Sequence, residues 1–354
     1  MANARRKNEV RLLGVVRRRR SALLMSTALQ AGVVLVLTTP AGAQPASGAR
    51  PTGGTVVAGT AAIIQGTNNT AINQSTQRAA IDWKSFNVGS QQSVTFNQPA
   101  PSSVTVNRVT GGDPSQIAGR IDANGQVVLI NQSGVTFFKG AQVNTNGLMV
   151  SAIGASDQAV KSFVGSNTGK LALDQPGKPN AMVDNRGNIT VKQAGLAALV
   201  APRVANSGTI TAQLGHVVLA GAKTATLDLY GDGLLALDVT NQVTQTPLDK
   251  NGNSATALVT NSGVIIADGG TIQLTARAAD GVVQNLVEAG GKIRAATMGG
   301  QTGVVALNGV GGSIVVEGQL AAPGIAPGTK GGDIEVATTG NVVVTPTARI
   351  SASG

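Results

Sequence analysis

Apolar and polar residues alternate along this chain in short runs that return at tight intervals. Residues 106–135 show the unit, V-N-R-V-T-G-G-D-P-S-Q-I-A-G-R-I-D-A-N-G-Q-V-V-L-I-N-Q-S-G-V, with apolar triplets set between Asn and Gly turn residues. Two signatures recur to the last residue. Asn-x-Gly-x-Ile occupies residues 185–189, 206–210 and 261–265. Gly-x-Ile/Val-x-Leu/Val occupies residues 125–129, 215–219, 270–274, 312–316, 332–336 and 340–344. The first two Asn copies lie one coil of a three-sided β-helix apart, about 21 residues. A period of two points alternate side chains, such as Ile272 with Leu274 and Ile334 with Val336, into the coil. Asn and Gly enter left-handed backbone at low cost and are expected at the corners. The pattern predicts an all-β fold, a right-handed parallel β-helix running from about Val56. At roughly 21–23 residues per coil it allows about 12–14 coils, less any insertions.

Three regions break the rhythm. Residues 44–62 are rich in Gly, Ala and Thr and read as the first, capping strands. Pro99-Ala100-Pro101 marks a turn that a coil interior could not hold. Residues 154–179 contain a stretch suited to one or two helical turns (156–164), followed by Gly165, Gly169, Pro176, Gly177 and Pro179. They read as a short excursion from the helix, because no Pro/Ser linker separates two cores.

Composition supports a thin core. Hydrophobic residues make up 42% of the chain, yet only five Phe, one Trp and one Tyr supply aromatic bulk. Trp83 and Phe86 are expected to fill the core near the cap, rather than Asp82 and Trp83 forming a binding pair. There is no Cys, so neither disulfides nor a thiolate metal site can form.

The net charge of +10 suggests nucleic acid until it is located. Eight basic side chains, Arg5, Arg6, Lys7, Arg11 and Arg17 to Arg20, stand in the first 20 residues against one acid, Glu9. Beyond them 19 basic residues face 16 acidic ones, with no basic stripe to track phosphates. Nucleic acid is therefore excluded as a partner. The basic block, the apolar run from Ala22 to Leu37, and Ala41-Gly42-Ala43 after Pro40 predict an extended signal peptide over residues 1–43, cleaved before Gln44.

Catalytic chemistry finds little support. The single His, His216, alternates with Val217 and Leu219 and is expected exposed on the outer face, without a positioned partner. Asp228, Asp232 and Asp238 lack the every-second-position spacing of a calcium loop. Residues 231–236 match a dinucleotide fingerprint in letters but lack the helix it needs. Residues 165–170 fall one short of a phosphate loop, with Leu171 where Ser or Thr must stand. No catalytic residue, cofactor or metal is expected.

Residues 81–88 (I-D-W-K-S-F-N-V), 94–99 (V-T-F-N-Q-P) and 107–117 (N-R-V-T-G-G-D-P-S-Q-I) together resemble the secretion domain of filamentous haemagglutinins, the large exoproteins of the two-partner secretion pathway. The likeness is close over about residues 55–240 and looser beyond. It implies a secretion domain over residues 44–240, with β-helical repeats continuing over 241–354. It also implies a secreted or surface-exposed, adhesin-like protein of a Gram-negative-type bacterium. A dedicated outer-membrane β-barrel transporter would bind the unfolded or partly folded domain through its periplasmic domains. By resemblance, Asn107, Arg108 and Val109, with Asn131, Gly134 and Val135, would be the recognition elements. The family's Asn-Pro-Asn-Gly-Ile element falls on residues 131–135, where Gln132 and Ser133 replace Pro and Asn. Gln132 no longer fixes φ, so a looser turn is expected.

Host-cell or matrix ligands are the partners such a surface implies. The rhythm runs to Gly354 without a polar cap, which fits either a fragment or a short member of the family. With no cap after Ile350, residues 342–344 are expected to support end-to-end association. Two other functions stay open: a polysaccharide-acting β-helix enzyme, and the front of a contact-dependent toxin, which needs a C-terminal effector. Asp184, Asp228, Asp268 and Asp280 share no coil phase, which counts against the enzyme.

Overall fold

Strands of three to seven residues, many with alternating burial, stack in register, each on the strand one coil earlier. The protein is described by a computed structural model covering residues 43–166, 169–192, 194–228, 235–237, 241–249 and 252–354. Among these residues the coils form three long sheets of ten, eleven and eight strands. Nearly all pairings are parallel, as in Gln142–Thr145 on Asn188–Val191 and Leu196–Ala201 on His216–Gly221. The fold is the parallel β-helix that the periodicity predicts.

Columns of like side chains run down the inside. Val94, Ile121, Val143, Ile189, Ile210, Ile265, Ile293 and Leu320 are successive register partners in the eleven-stranded sheet. All eight are buried. The Ile of every Asn-x-Gly-x-Ile copy therefore lies in one column. Each buried aliphatic side chain contributes about 1.5–3 kcal/mol of transfer free energy. Trp83 and Phe86 fill the core near the cap as expected, edge to face at 5.5 Å between centroids.

The Asn residues of the same signature form a second column. Asn185 Nδ2 donates to Asn206 Oδ1 at 2.7 Å, and Asn206 Nδ2 to Asn261 Oδ1 at 2.7 Å. A buried amide is satisfied by its own kind one coil away.

The corner glycines correct one expectation. Gly208 and Gly263 do not have positive φ. They are glycine because a Cβ on Gly208 would stand 2.1 Å from the Gly187 carbonyl oxygen, and one on Gly263 2.2 Å from that of Gly208. Close approach between coils, not handedness, excludes a side chain there.

Two further expectations change. Parallel stacking starts at Asn69–Gln74, not at Val56. Thr55–Ala58 and Ala61–Gln65 pair antiparallel and close the N-terminal end of two sheets as a cap. The described residues make nine coils by the parallel strands of the ten-stranded sheet, fewer than the 12–14 expected. Long insertions between coils account for the difference: Asn206 and Asn261, neighbours in the stack, are 55 residues apart in sequence.

Those insertions build a layer of their own. The helix Asp157–Gly165 and the strands Lys170–Leu173, Ala225–Asp228 and Leu235–Leu237 leave the coil, and the three strands pair antiparallel. Val160, Phe163, Leu171 and Leu173 pack in a second buried cluster with Ala80, Val104, Val106, Val128 and Ile130. The outer face of the ten-stranded sheet is thus a second core from Arg78–Trp83 to His216–Gly221. At the other end, Asp333–Thr338, Val342–Val344 and Arg349–Ser351 are the last strands of their sheets, and Val342, Val343, Val344 and Ile350 are exposed.

Replacing Asn206 by Ala orphans the Asn185 donor and the Asn261 acceptor together. The expected loss is roughly 2–6 kcal/mol, at about 1–3 kcal/mol for each of the two buried unsatisfied groups. The outward Thr211→Ala is expected to stay within about 0.5 kcal/mol. Urea midpoints of the two variants check this.

Candidate recognition site

Asn107 lies on the strand Val104–Val109 with its side chain inside the coil. Its Oδ1 accepts the Trp83 indole N–H at 3.0 Å, and its Nδ2 faces the Thr105 and Val128 carbonyls at 3.3 Å each. The large cap-end aromatic is thereby held by its one polar atom. Val109, two residues on, is buried in the same core.

Arg108 points the other way. Its Nε and one terminal nitrogen bind the two Asp82 carboxylate oxygens at 2.9 and 2.8 Å, a bidentate pair across adjacent coils. The other terminal nitrogen reaches the Ala155 carbonyl at 3.1 Å and Asp157 Oδ1 at 2.6 Å. The hydrogen bond to Asp82 is the main cause holding the Arg108 pKa above its ordinary value. The side chain is only 15% exposed.

Asn131 turns the chain from the ten-stranded to the eight-stranded sheet. Its Oδ1 accepts the Ser133 N–H at 2.9 Å and its backbone carbonyl the Gly134 N–H at 2.8 Å, while Nδ2 donates to the Asp113 carbonyl and Ser115 Oγ. Gly134 has φ +105°, and a Cβ there would meet the Met182 carbonyl oxygen at 2.8 Å. Val135 is buried and pairs with Ser115 and Val183 on the coils either side. The replacements in this turn are tethered rather than loose. Gln132 Nε2 donates to the Pro176 carbonyl at 2.8 Å and Ser133 Oγ to that of Gly112 at 2.7 Å. Two side-chain bonds stand in for the missing ring.

The fold brings the two segments together. Arg108 is the register partner of Ile130, so Val109 and Asn131 follow side by side on adjacent coils. Four of the six residues face inward and are buried: Asn107, Val109, Asn131 and Val135. In the folded domain they are core, not epitope. Sequence reading missed the partners Asp157 and Ala155, since only the excursion brings them to Arg108.

Ala41 and the rest of the signal segment to residue 42 lie outside the described residues. Ala43 and Gln44 are exposed, and the Ala43 carbonyl accepts from Gln116 Nε2 at 3.2 Å. His216 does not lie exposed as expected; it is half-buried, because the outer face of its sheet is covered by the excursions. Residues 231–234, Asp238, and Asn167 and Thr168 of the phosphate-loop look-alike lie outside the described residues. A groove of about 280 Å³ beside the Asn131 corner is lined in part by Gly134, Thr136, Asp184 and Arg186. Its Asp184 is salt-bridged to Arg186 at 2.6 Å.

The chain matches the family described as the TPS secretion domain over residues 47–335. The heme/hemopexin-binding protein of Haemophilus influenzae strain Rd is 45% identical over 116 residues, 32% of this chain and 13% of that protein. A second heme/hemopexin-binding protein from Haemophilus influenzae is 42% identical over 118 residues, 33% of this chain and 13% of its own length. This chain thus matches about an eighth of the length of these relatives. The HMW1 secretion domain from Haemophilus influenzae superposes with a TM-score of 0.70 at 28% identity, over 85% of this chain and 73% of that one. The filamentous hemagglutinin secretion domain gives 0.56 at 15% identity, over 86% and 99%, a likeness of fold.

Gly134→Val is expected to destabilise the folded domain by about 2 kcal/mol or more, combining a left-handed φ with a backbone clash. Gly112→Ala, where a Cβ would meet nothing within 4 Å, is the control. Thermal or urea unfolding of both variants reads the difference.

Proposed function

The chain belongs to the TPS secretion domain family, and from that premise we propose how its residues serve export. As a secretion domain it is the part of an exoprotein handed to a dedicated outer-membrane transporter, and the product reaches the cell surface or the medium. Our reading is that the transporter's periplasmic domains take the segments 107–109 and 131–135 from the unfolded chain. The burial of Asn107, Val109, Asn131 and Val135 carries this reading. A folded domain offers none of these four side chains to a partner, while an extended chain offers all of them along with its free backbone groups.

Adhesion is the task we assign to the exported protein. Supporting it is the outer face of the eleven-stranded sheet, where Arg120, Gln142, Asn188, Lys292 and Gln319 stand exposed in one register column, interrupted by half-buried Thr209 and Val264. A polysaccharide-cleaving enzyme is less well supported. Of the four acids weighed, Asp184 and Asp268 are tied to Arg186 and Arg294. The heme/hemopexin-binding relatives supply heme or hemopexin as an alternative ligand, which a heme titration followed by absorbance separates from adhesion.

The chain is to be produced with its cognate transporter. Asn131→Ala and Gly134→Val should each lower the exported fraction several-fold with synthesis unchanged, and exported material should begin at Gln44. Chain diluted from denaturant should bind the immobilised periplasmic domains, and refolded chain should not. Equal binding by both forms would overturn recognition of the unfolded state.

A further inference from the structure

The excursion helix is anchored at both ends by arginines of the underlying sheet. Arg108 holds its start through the Ala155 carbonyl and Asp157. Arg78, at the head of the strand Arg78–Trp83, donates to the Phe163 carbonyl at 2.5 Å and to the Ser166 carbonyl, with its guanidinium 4.8 Å from the Phe163 ring centroid. The lengths match. Nine helical residues span about 13.5 Å, and the four strand steps from Arg78 to Asp82, the Arg108 partner, span about 13 Å. The polarity matches too: an acid lies in the first turn and a cation at the last carbonyls, each favourable with the helix dipole. Between the posts, Val160 and Phe163 cover Ala80, Val104 and Val106.

These contacts cannot form early. They join residues 47 to 88 positions apart in sequence. Arg108 meets the helix with the rest of its guanidinium paired across coils with Asp82. Ser156 at the helix start is also tied to Asp174, with its N–H and Oγ bonding the two carboxylate oxygens at 2.8 and 2.6 Å. The helix has few resources of its own, since nine residues are short of what is stable alone in water.

We propose that the helix Asp157–Gly165 is a strap that closes over the ten-stranded sheet only after the first coils have stacked, with Arg78 and Arg108 as the posts that position it. Open, the strap leaves the apolar outer face of those coils uncovered; closed, it completes the second core and protects the exported domain. The export context rests on the reading above, while the strap itself does not. Arg108 thus gains a use after export that is separate from any contact with the transporter.

Hydrogen exchange on the full folded chain tests this, with Arg78→Leu and Asp157→Asn chosen because neither lies in the segments assigned to the transporter. Amides of residues 159–165 should exchange at least ten-fold faster in Arg78→Leu, with a smaller rise in Asp157→Asn. Amides of residues 217–220 should be unchanged in both, and binding of unfolded chain to the periplasmic domains should also be unchanged. Should Arg78→Leu fail to fold, Asp157→Asn, altering a 74% exposed side chain, carries the test. The strap is overturned if helix exchange matches wild type, or if helix and coil amides speed up together. Failure of the wild-type chain to bind any transporter domain would sink the export reading and leave these exchange results standing.

Discussion

Every coil sits one strand spacing, about 4.8 Å, from the next, and that distance governs which residue can occupy each position. At the corners the backbones of successive coils come so close that Gly208, Gly263 and Gly291 each exclude a Cβ against the preceding glycine's carbonyl. Inside, a side chain must tolerate a near copy of itself above and below. Branched aliphatics do this by packing, and Asn does it because one amide both donates and accepts. Asn185, Asn206 and Asn261 are thus the rare buried polar groups that repetition satisfies. They also fix register, since a slip of one residue would take each amide off its partner Asn and turn it to the other face of the sheet.

Much of this was legible in the residues. The Asn-x-Gly-x-Ile copies predicted stacked coils, and the structure places all three Ile in one column and all three Asn in another. Trp83 with Phe86 was readable as core filling because so few aromatics are available. The reason for the corner glycines was not readable, since handedness and close approach leave the same letter. Nor was the outer layer. Its trace was present in residues 126–130 and 196–201, Q-V-V-L-I and L-A-A-L-V-A, which are apolar without alternation. By contrast N-I-T-V and T-I-T-A at 188–191 and 209–212 alternate cleanly. A strand apolar on both faces is buried on both faces, and Leu196–Ala201 is buried throughout. Loss of the period of two marks where a second core lies, and the same outer layer leaves His216 half-buried.

The segments proposed for transporter recognition show a different limit. Asn131 and Gly134 could be read as a corner, and the Asx turn and the positive φ bear that out. The pairing of Arg108 with Asp82 and Asp157 could not be read, because register between coils and the path of an excursion are properties of the stack. Spacing along the chain carries neither.

A stack of this kind is held together by neighbours in one dimension, so a coil gains most of its stability only once the coil before it exists. The antiparallel strands Thr55–Ala58 and Ala61–Gln65 supply a first template without needing an earlier coil. Residues 107–109 and 131–135 belong to the coils that follow almost at once. Stacking that propagates from this template would bury them early, through the Trp83 bond to Asn107 and the turn at Asn131. A partner that reads them must act before that template is used. The same burial that makes them core in the product makes their exposure a report that the chain has not yet folded, and occupancy of these segments by any partner would hold the stack open at its start.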